Sequence, residues 1–323
     1  MMAAEVRQPA PSLLERLPPV RGRYRACVAI SELAWFRVGG PAEIVFRPAD
    51  RDDLADFLRR KPKDVPALAI GVGSNLLVRD GGIAGVVVRL GRGISEVTLK
   101  DDGLHVGAGA LDGNVALTAQ QLRLGGLEFL SGIPGTIGGG LRMNAGAYGT
   151  EFKDVLLRAE AVDGAGRVHS VPAADLRMTY RHCGAPADWI FTGCVLRAEK
   201  GDPTAIAART REIREKREAT QPVRARTGGS TFKNPPGNSA WKLIEGIGGR
   251  GLARGGARVS EQHCNFLINE GGATADDIEG LGNDLVEHVR GATGITLEWE
   301  IQRIGALAGR GPDCSSLGAG AAS

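Results

Sequence analysis

Two glycine-rich stretches hold residue types that could do chemistry in this chain. In Gly71-Val72-Gly73-Ser74-Asn75 the glycines let backbone N–H groups approach an anion, and the Ser74 hydroxyl and Asn75 amide add donors. That is the chemistry of a phosphate nest. The spacing opens like a dinucleotide fingerprint and then departs from it. The third glycine position is Leu76, and the residues that follow read as strand, turn and strand, so a Rossmann strand-to-helix turn is excluded. Taken alone, the segment reads equally well as an ordinary glycine-rich turn. The second stretch, Gly125 to Glu151, has too many glycines for a core helix or strand and too few charges for a disordered linker. It interleaves Ser131, Thr136 and Asn144 as donors. One such loop can seat one phosphate, and two on one sheet can seat a pyrophosphate.

Hydrophobic periodicity gives the elements that must position these loops. Residues 42–50 read as a strand, RDDLADFLRR as the helix after it, and VPALAIGVG as a second strand running into the first loop, a β-α-β start. GLHVGAGA (strand) and LDGNVALTAQQLRL (helix) lead into the second loop, and VLLRAEAVDGAGRVHSV is strand-like beyond it. Residues 203–222 read as an exposed, charge-laced helix crossing into a last domain. Residues 273–294 form a second amphipathic helix, with Thr274 as N-cap, Asp277 in the first turn and Ile278, Leu281, Leu285 and Val289 on one face. In the closing segment Ile295, Leu297, Trp299 and Ile301 alternate with Thr296, Glu298, Glu300 and Gln302, which predicts a strand with Glu300 on its polar face.

Composition bounds the function classes. A chain of 323 residues that is 42% apolar can bury the cores of two or three domains. The net charge of +3 comes without a long Lys/Arg block, so nothing argues for nucleic acid or an anionic membrane surface. Cys27, Cys183, Cys194, Cys264 and Cys314 are scattered and show no metal-ligand spacing, and they read as reduced thiols of a cytoplasmic protein without a metal site. The five histidines lie far apart in sequence. No signal peptide or membrane-spanning run is expected. Residues 1–20 read as an N-terminal tail and residues 306–323 as a disordered one.

Together, GVGSNLLVRDGGIAGVVVRL and LSGIPGTIGGGLRMNAGAYG resemble the UDP-N-acetylenolpyruvoylglucosamine reductase family, flavoenzymes of bacterial peptidoglycan precursor synthesis. WFRVGGPAEIVFRP (35–48), TYRHC (179–183), GGSTFKNPPGNSAWKLIE (228–245) and GITLEWEIQRIG (294–305) match in the same order, so the resemblance spans residues 21–305. It implies an α+β fold: a two-subdomain FAD-binding module of the vanillyl-alcohol-oxidase and p-cresol-methylhydroxylase type (21–100 and 101–202), then a C-terminal α+β substrate domain (203–305). FAD would lie between the subdomains on Gly71, Gly73, Ser74, Asn75, Leu76, Gly135, Thr136, Gly138, Gly139, Asn144 and Gly146. Neither loop contains His or Cys, so the flavin is expected to be non-covalent.

The implied reaction is reduction of UDP-N-acetylglucosamine enolpyruvate to UDP-N-acetylmuramate, with NADPH as hydride donor and FAD between the two. Three residues match the family's catalytic positions. Arg181 offers a permanently charged fork for the substrate carboxylate. Glu300 would polarise that carboxylate, as the protonated acid if burial raises its pKa. Ser230 would give a proton to the enolate. Tyr180, Lys233 and Asn234 are expected on the substrate side. Two departures from the family pattern stand out: Cys183 in place of a serine, and Trp35 where a small hydroxyl residue is common. The little space between the second loop and TYRHC matches the shorter type of the family. The expected partners are the small-molecule UDP-sugar and NADPH, with neither nucleic acid nor membrane insertion, and a monomer is one of the oligomeric states the sequence allows. The rival readings are an FAD-dependent oxidase of the same superfamily, a non-catalytic flavin binder and a purely structural protein.

Overall fold

The structure, a computed structural model, describes residues 12–314. Its first sheet is built around Pro41–Arg47, which pairs antiparallel with Arg23–Ala29 and parallel with Ile83–Arg89; Ala67–Ile70 lies parallel beyond the latter. The continuous run Val86-Val87-Val88 has a simple cause. Val86 and Val88 face one core with Phe46, Leu54 and Phe57, while Val87 faces another with Ala42 and Val45, so both faces of the sheet are covered. Between the strands, the helix Arg51–Arg60 starts where the Asp50 carboxylate accepts the Asp53 N–H and ends on Arg59 and Arg60, with charges placed to suit its dipole. Phe57 packs on Phe46 with ring centroids 4.6 Å apart.

A second, antiparallel sheet runs in the order Val168–Pro172, Leu156–Val162, Ile190–Leu196, Gly103–Gly107, Val97–Lys100. The helices Asp112–Gln121 and Ile137–Met143 pack on it around Leu104, Val106, Phe129 and Phe152. Because Val97–Lys100 pairs with Gly103–Gly107, the expected boundary at residue 100 would cut a hairpin, and the second subdomain begins before it.

The helix Pro203–Thr220 leads into the third part, where the strands Ala253–Arg254, Ala257–Val259 and Leu267–Asn269 carry the helix Ala275–Thr293. Thr274 caps that helix in a capping box with Asp277, and Ile278, Leu281, Leu285 and Val289 are buried, as the spacing predicts. The chain then returns to the first part: Gln302–Ile304 pairs parallel with Leu76–Val78, directly after the first glycine loop.

Three sequence expectations are corrected here. Residues 12–20 are a packed segment: Leu17 is buried with Leu13, Leu14 and Val20 against the Phe46 core, and the Tyr24 hydroxyl donates to the Pro18 carbonyl at 2.9 Å. Residues 306–314 of the expected disordered tail lie against Gly81 and Gly82, where Gly81 N–H donates to Ala306 O and Ala306 N–H to Gly82 O, both at 2.9 Å. Residues 1–11 and 315–323 lie outside the described residues. Finally, the cysteines are not all thiols. Cys27 and Cys314 form a disulfide, while Cys183, Cys194 and Cys264 are free and buried. No helix among the described residues is long and apolar enough to cross a membrane.

Candidate active site

The two glycine loops meet. A Cβ on Gly71 would stand 2.5 Å from the Thr136 hydroxyl, and one on Gly135 would stand 2.9 Å from Asp112 Oδ2 and 3.6 Å from the Ser74 hydroxyl. Gly73 is left-handed (φ 68°), and a side chain there would strike the Ala34 backbone at 2.8 Å, so glycine is required by both conformation and space. Thr136 precedes the helix Ile137–Met143 without capping it through its side chain. The Ser74 and Thr136 hydroxyls therefore lie close to the glycine backbone of the two loops, on one seam between the subdomains. Such a donor set fits the pyrophosphate of FAD.

Arg181 projects from a two-residue turn. Thr179 and His182 exchange both backbone hydrogen bonds at 3.0 Å, leaving Tyr180 and Arg181 at the tip, with Arg181 left-handed at φ 54°. Its Nε donates to Glu300 Oε1 at 2.7 Å, its Nη2 to the Gly146 carbonyl at 3.3 Å, and its guanidinium stacks 4.9 Å from the Tyr180 ring. Both charged side chains are largely enclosed, 19% and 14% exposed. Glu300 is fixed through its backbone as well: its N–H donates to Thr231 O at 2.8 Å, and its carbonyl accepts from Asn75 Nδ2 at 3.2 Å. Ser230 lies between Thr231 and Gly229, and a Cβ on Gly229 would stand 3.8 Å from the Ser74 carbonyl. One hydrogen-bonded network thus links Arg181, Glu300, Thr231 and Asn75 of the first glycine loop, and Ser230 precedes Thr231 in the chain. Burial raises the Glu300 carboxyl pKa, and the opposing pull of Arg181 and then Lys233 does not cancel it.

Residues 221–304 match the family model described as UDP-N-acetylenolpyruvoylglucosamine reductase, C-terminal domain, and residues 42–172 match that of an FAD binding domain. A UDP-N-acetylenolpyruvoylglucosamine reductase of Parvibaculum lavamentivorans is 55% identical over 96% of this chain and 99% of its own. The chain belongs to the UDP-N-acetylenolpyruvoylglucosamine reductase family. A second reductase, from Rhodospirillum rubrum, is 56% identical over 93% of this chain and 95% of its own. The crystal structure of UDP-N-acetylenolpyruvylglucosamine reductase from Thermus caldophilus matches with a TM-score of 0.76 at 33% identity, covering 88% of this chain and 99% of that one. The α+β class with an FAD-binding module is therefore borne out, and the chain is an FAD-dependent oxidoreductase.

Within this member of the reductase family, several side chains do other work than their sequence context suggests. Asn144 is fully enclosed: Nδ2 donates to Thr179 O and Glu151 Oε2, both at 2.9 Å, and Oδ1 accepts the Lys153 N–H at 2.9 Å. It holds the Arg181 turn through the Thr179 carbonyl. Gly146 likewise contributes its carbonyl to Arg181. The Ser131 hydroxyl donates to the Glu128 carbonyl at 2.7 Å, so it too is spent within the protein. Asn75 spends its amide on Glu300, and Asn234 Oδ1 accepts the Ala240 N–H at 3.0 Å, steadying the helix Ala240–Gly246. Lys233 reaches Glu298 at 3.4 Å, and Tyr180 is exposed. The expected strand 295–302 is regular only over Gln302–Ile304, and Glu300 is enclosed where a polar face would be solvated.

Two residues that sequence reasoning missed complete the frame. Asn265 brackets Phe232 with its side chain, accepting its N–H at 3.0 Å and donating to its carbonyl at 2.8 Å, which fixes the loop carrying Ser230. Asp112 lies beneath Gly135, fully buried, with neither carboxyl oxygen hydrogen-bonded. Burial raises its pKa well above the ordinary value. Its only sequence signal was an acidic residue at a helix start.

Proposed function

We propose that Arg181, Glu300 and Ser230 perform the substrate half of the family reaction: reduction of the enolpyruvyl double bond of UDP-N-acetylglucosamine enolpyruvate, giving UDP-N-acetylmuramate, with NADPH as hydride donor. The observation that carries this reading is the enclosed Arg181–Glu300 pair at 2.7 Å, tied through Thr231 and Asn75 to both Ser230 and the flavin loop. When bound at the Ser74–Thr136 seam, FAD supplies the hydride relay between NADPH and the double bond.

The residues of the chain supply the rest. With Nε on Glu300 and Nη2 on Gly146, the Arg181 fork is held rigid and its outer N–H groups are free to grip the substrate carboxylate as negative charge builds on the adjacent carbon. Glu300 sits where burial favours its neutral form, and an arriving substrate carboxylate strengthens that preference, so it can donate a hydrogen bond to the same group. Hydride addition at the terminal enolpyruvyl carbon leaves the electron pair beside the carboxylate, and the Ser230 hydroxyl returns the balancing proton to that carbon. Tyr180, Lys233 and Asn234 flank the substrate side. Because one chain carries every member of the set, a non-covalent flavin in a monomeric enzyme of the cytoplasm, where nucleotide sugars and NADPH meet, is the consistent reading.

The test is an anaerobic absorbance trace with Ser230→Ala beside the unaltered enzyme. The expected outcome is flavin bleaching by NADPH at the normal rate in both, and reoxidation by the enolpyruvyl sugar slowed by about 10²-fold or more in the variant. Equal slowing of both steps would remove the proton-donor role. Colour restored by oxygen alone would remove the substrate assignment and leave the flavin fold standing.

A further inference from the structure

Outside the Arg181–Glu300 set, an open cavity of ≈ 720 Å³ lies between residues 31–37 and residues 223–226. Trp35, Arg37, Arg224 and Arg226 line it, with Glu32 as its only carboxylate. None of the three guanidiniums is paired with a carboxylate among the described residues; Arg37 merely donates to the Glu32 backbone carbonyl at 2.8 Å. Three unpaired arginines against one acid around a single cleft make a site that attracts a multiply charged anion.

The walls are fixed and adjoin the catalytic set. Trp35 N–H donates to Gly73 O of the first glycine loop at 3.2 Å, and Arg37 is held left-handed at φ 57°. On the opposite wall Asn269 N–H donates to Arg226 O at 2.9 Å, while Asn269 Nδ2 donates to Phe36 O at 2.8 Å, so one asparagine pins both sides. Arg226 stands four residues before Ser230 in the chain.

Resting on the reductase reading above, we infer that this cleft is an anion subsite for the phosphates of a nucleotide substrate, held by Arg37, Arg224 and Arg226, with Trp35 as the stacking surface beside them. Guanidinium forks match phosphate oxygens two at a time, and an indole face accepts a base or sugar ring. Trp35, a departure from the family pattern, thereby gains a task. Two substrates carry this chemistry, the diphosphate of the UDP-sugar and the phosphates at the adenosine end of NADPH.

The experiment uses flavin-loaded enzyme and an Arg224→Ser/Arg226→Ser double variant; both side chains are exposed, so the fold does not depend on them. UDP, uridine and adenosine 2′,5′-bisphosphate are titrated by calorimetry at two salt concentrations. We expect one phosphorylated probe to bind the unaltered enzyme and to weaken by about tenfold or more both in the variant and at high salt, with uridine showing no binding. If UDP is that probe, the KM for the enolpyruvyl sugar rises in parallel and flavin reduction by NADPH does not change. If the bisphosphate is that probe, the KM for NADPH rises instead. Equal affinity of variant and unaltered enzyme for both probes would overturn the inference. So would loss of bound FAD from the variant, which would give the cleft to the flavin. Should the unaltered enzyme fail to turn over the enolpyruvyl sugar, the reductase reading fails separately, whatever the probes do.

Discussion

Arg181 combines two constraints that a lysine cannot meet together: a left-handed backbone held by the Thr179–His182 pairing, and a fork that contacts Glu300 and Gly146 at once. Arg181→Lys keeps the charge and loses the second contact. We expect kcat/KM for the enolpyruvyl sugar to fall by about 10²-fold while flavin binding is retained, read from steady-state kinetics and the bound-flavin spectrum. Asp112 carries a second prediction at this scale. Its folded pKa is raised by burial, so the folded state keeps a proton that the unfolded chain releases. Stability is therefore lost as pH rises from the ordinary carboxylate range through the folded pKa. Asp112→Asn is neutral throughout and escapes that loss. With flavin saturating, urea unfolding should show the variant more stable by about 1–3 kcal/mol near pH 8, the gap closing toward pH 4. A pH-independent gap would mean that the carboxyl does not titrate as its burial implies.

The glycine loops could be read as candidates for anion-binding backbone, because glycine content and hydroxyl spacing are local properties; the distance between them could not, because nothing in either loop states it. Gly71→Ala tests the meeting. The new Cβ would stand 2.5 Å from Thr136 Oγ1, so the seam must open, and FAD affinity should fall by about tenfold with the fold unchanged. In the Gly71→Ala/Thr136→Ala double variant the next contacts of that Cβ are at 3.5–3.6 Å, and of these only the Thr136 Cβ at 3.6 Å remains. Part of the affinity should return, measured by flavin fluorescence; additive losses would refute the contact. The helices Arg51–Arg60 and Ala275–Thr293 were readable nearly to the residue, since Asp50 and Thr274 cap them and their buried positions keep helical spacing. The segment around Glu300 misled because alternation records burial and not pairing: Trp299 meets only Phe232 in an isolated bridge, and regular pairing starts at Gln302. Likewise, the types of Asn75, Asn144 and Asn265 were visible, but their bonds cross 225, 35 and 33 residues of chain. Periodicity carries no information at that range.

At the scale of the molecule, the proposed active site belongs to no single part. Arg181 comes from the second sheet's side, Ser230 and Glu300 from the third part, and the chain after Glu300 returns to the first sheet's loop before Cys314 bonds to Cys27. That last run is fastened at three places in order: Gln302–Ile304 on Leu76–Val78, Ala306 on Gly81 and Gly82, and Cys314 on Cys27. The disulfide joins residues 287 apart in sequence, so opening it restores much freedom to the unfolded chain. Cys314→Ser should lower unfolding free energy by about 2–4 kcal/mol under oxidising conditions, and a reductant should do the same to the unaltered protein and nothing further to the variant. Turnover should be almost unaffected, because Glu300 is held independently by Thr231, Asn75 and Arg181. Limited proteolysis separates the fastenings: without the bond, cleavage should appear between residues 307 and 314 while the pairing at Gln302–Ile304 stays protected. A reducing cytoplasm would keep the two thiols apart. There the inner fastenings alone must hold the catalytic end of the run, and a variant whose turnover fell with the bond would show that they do not.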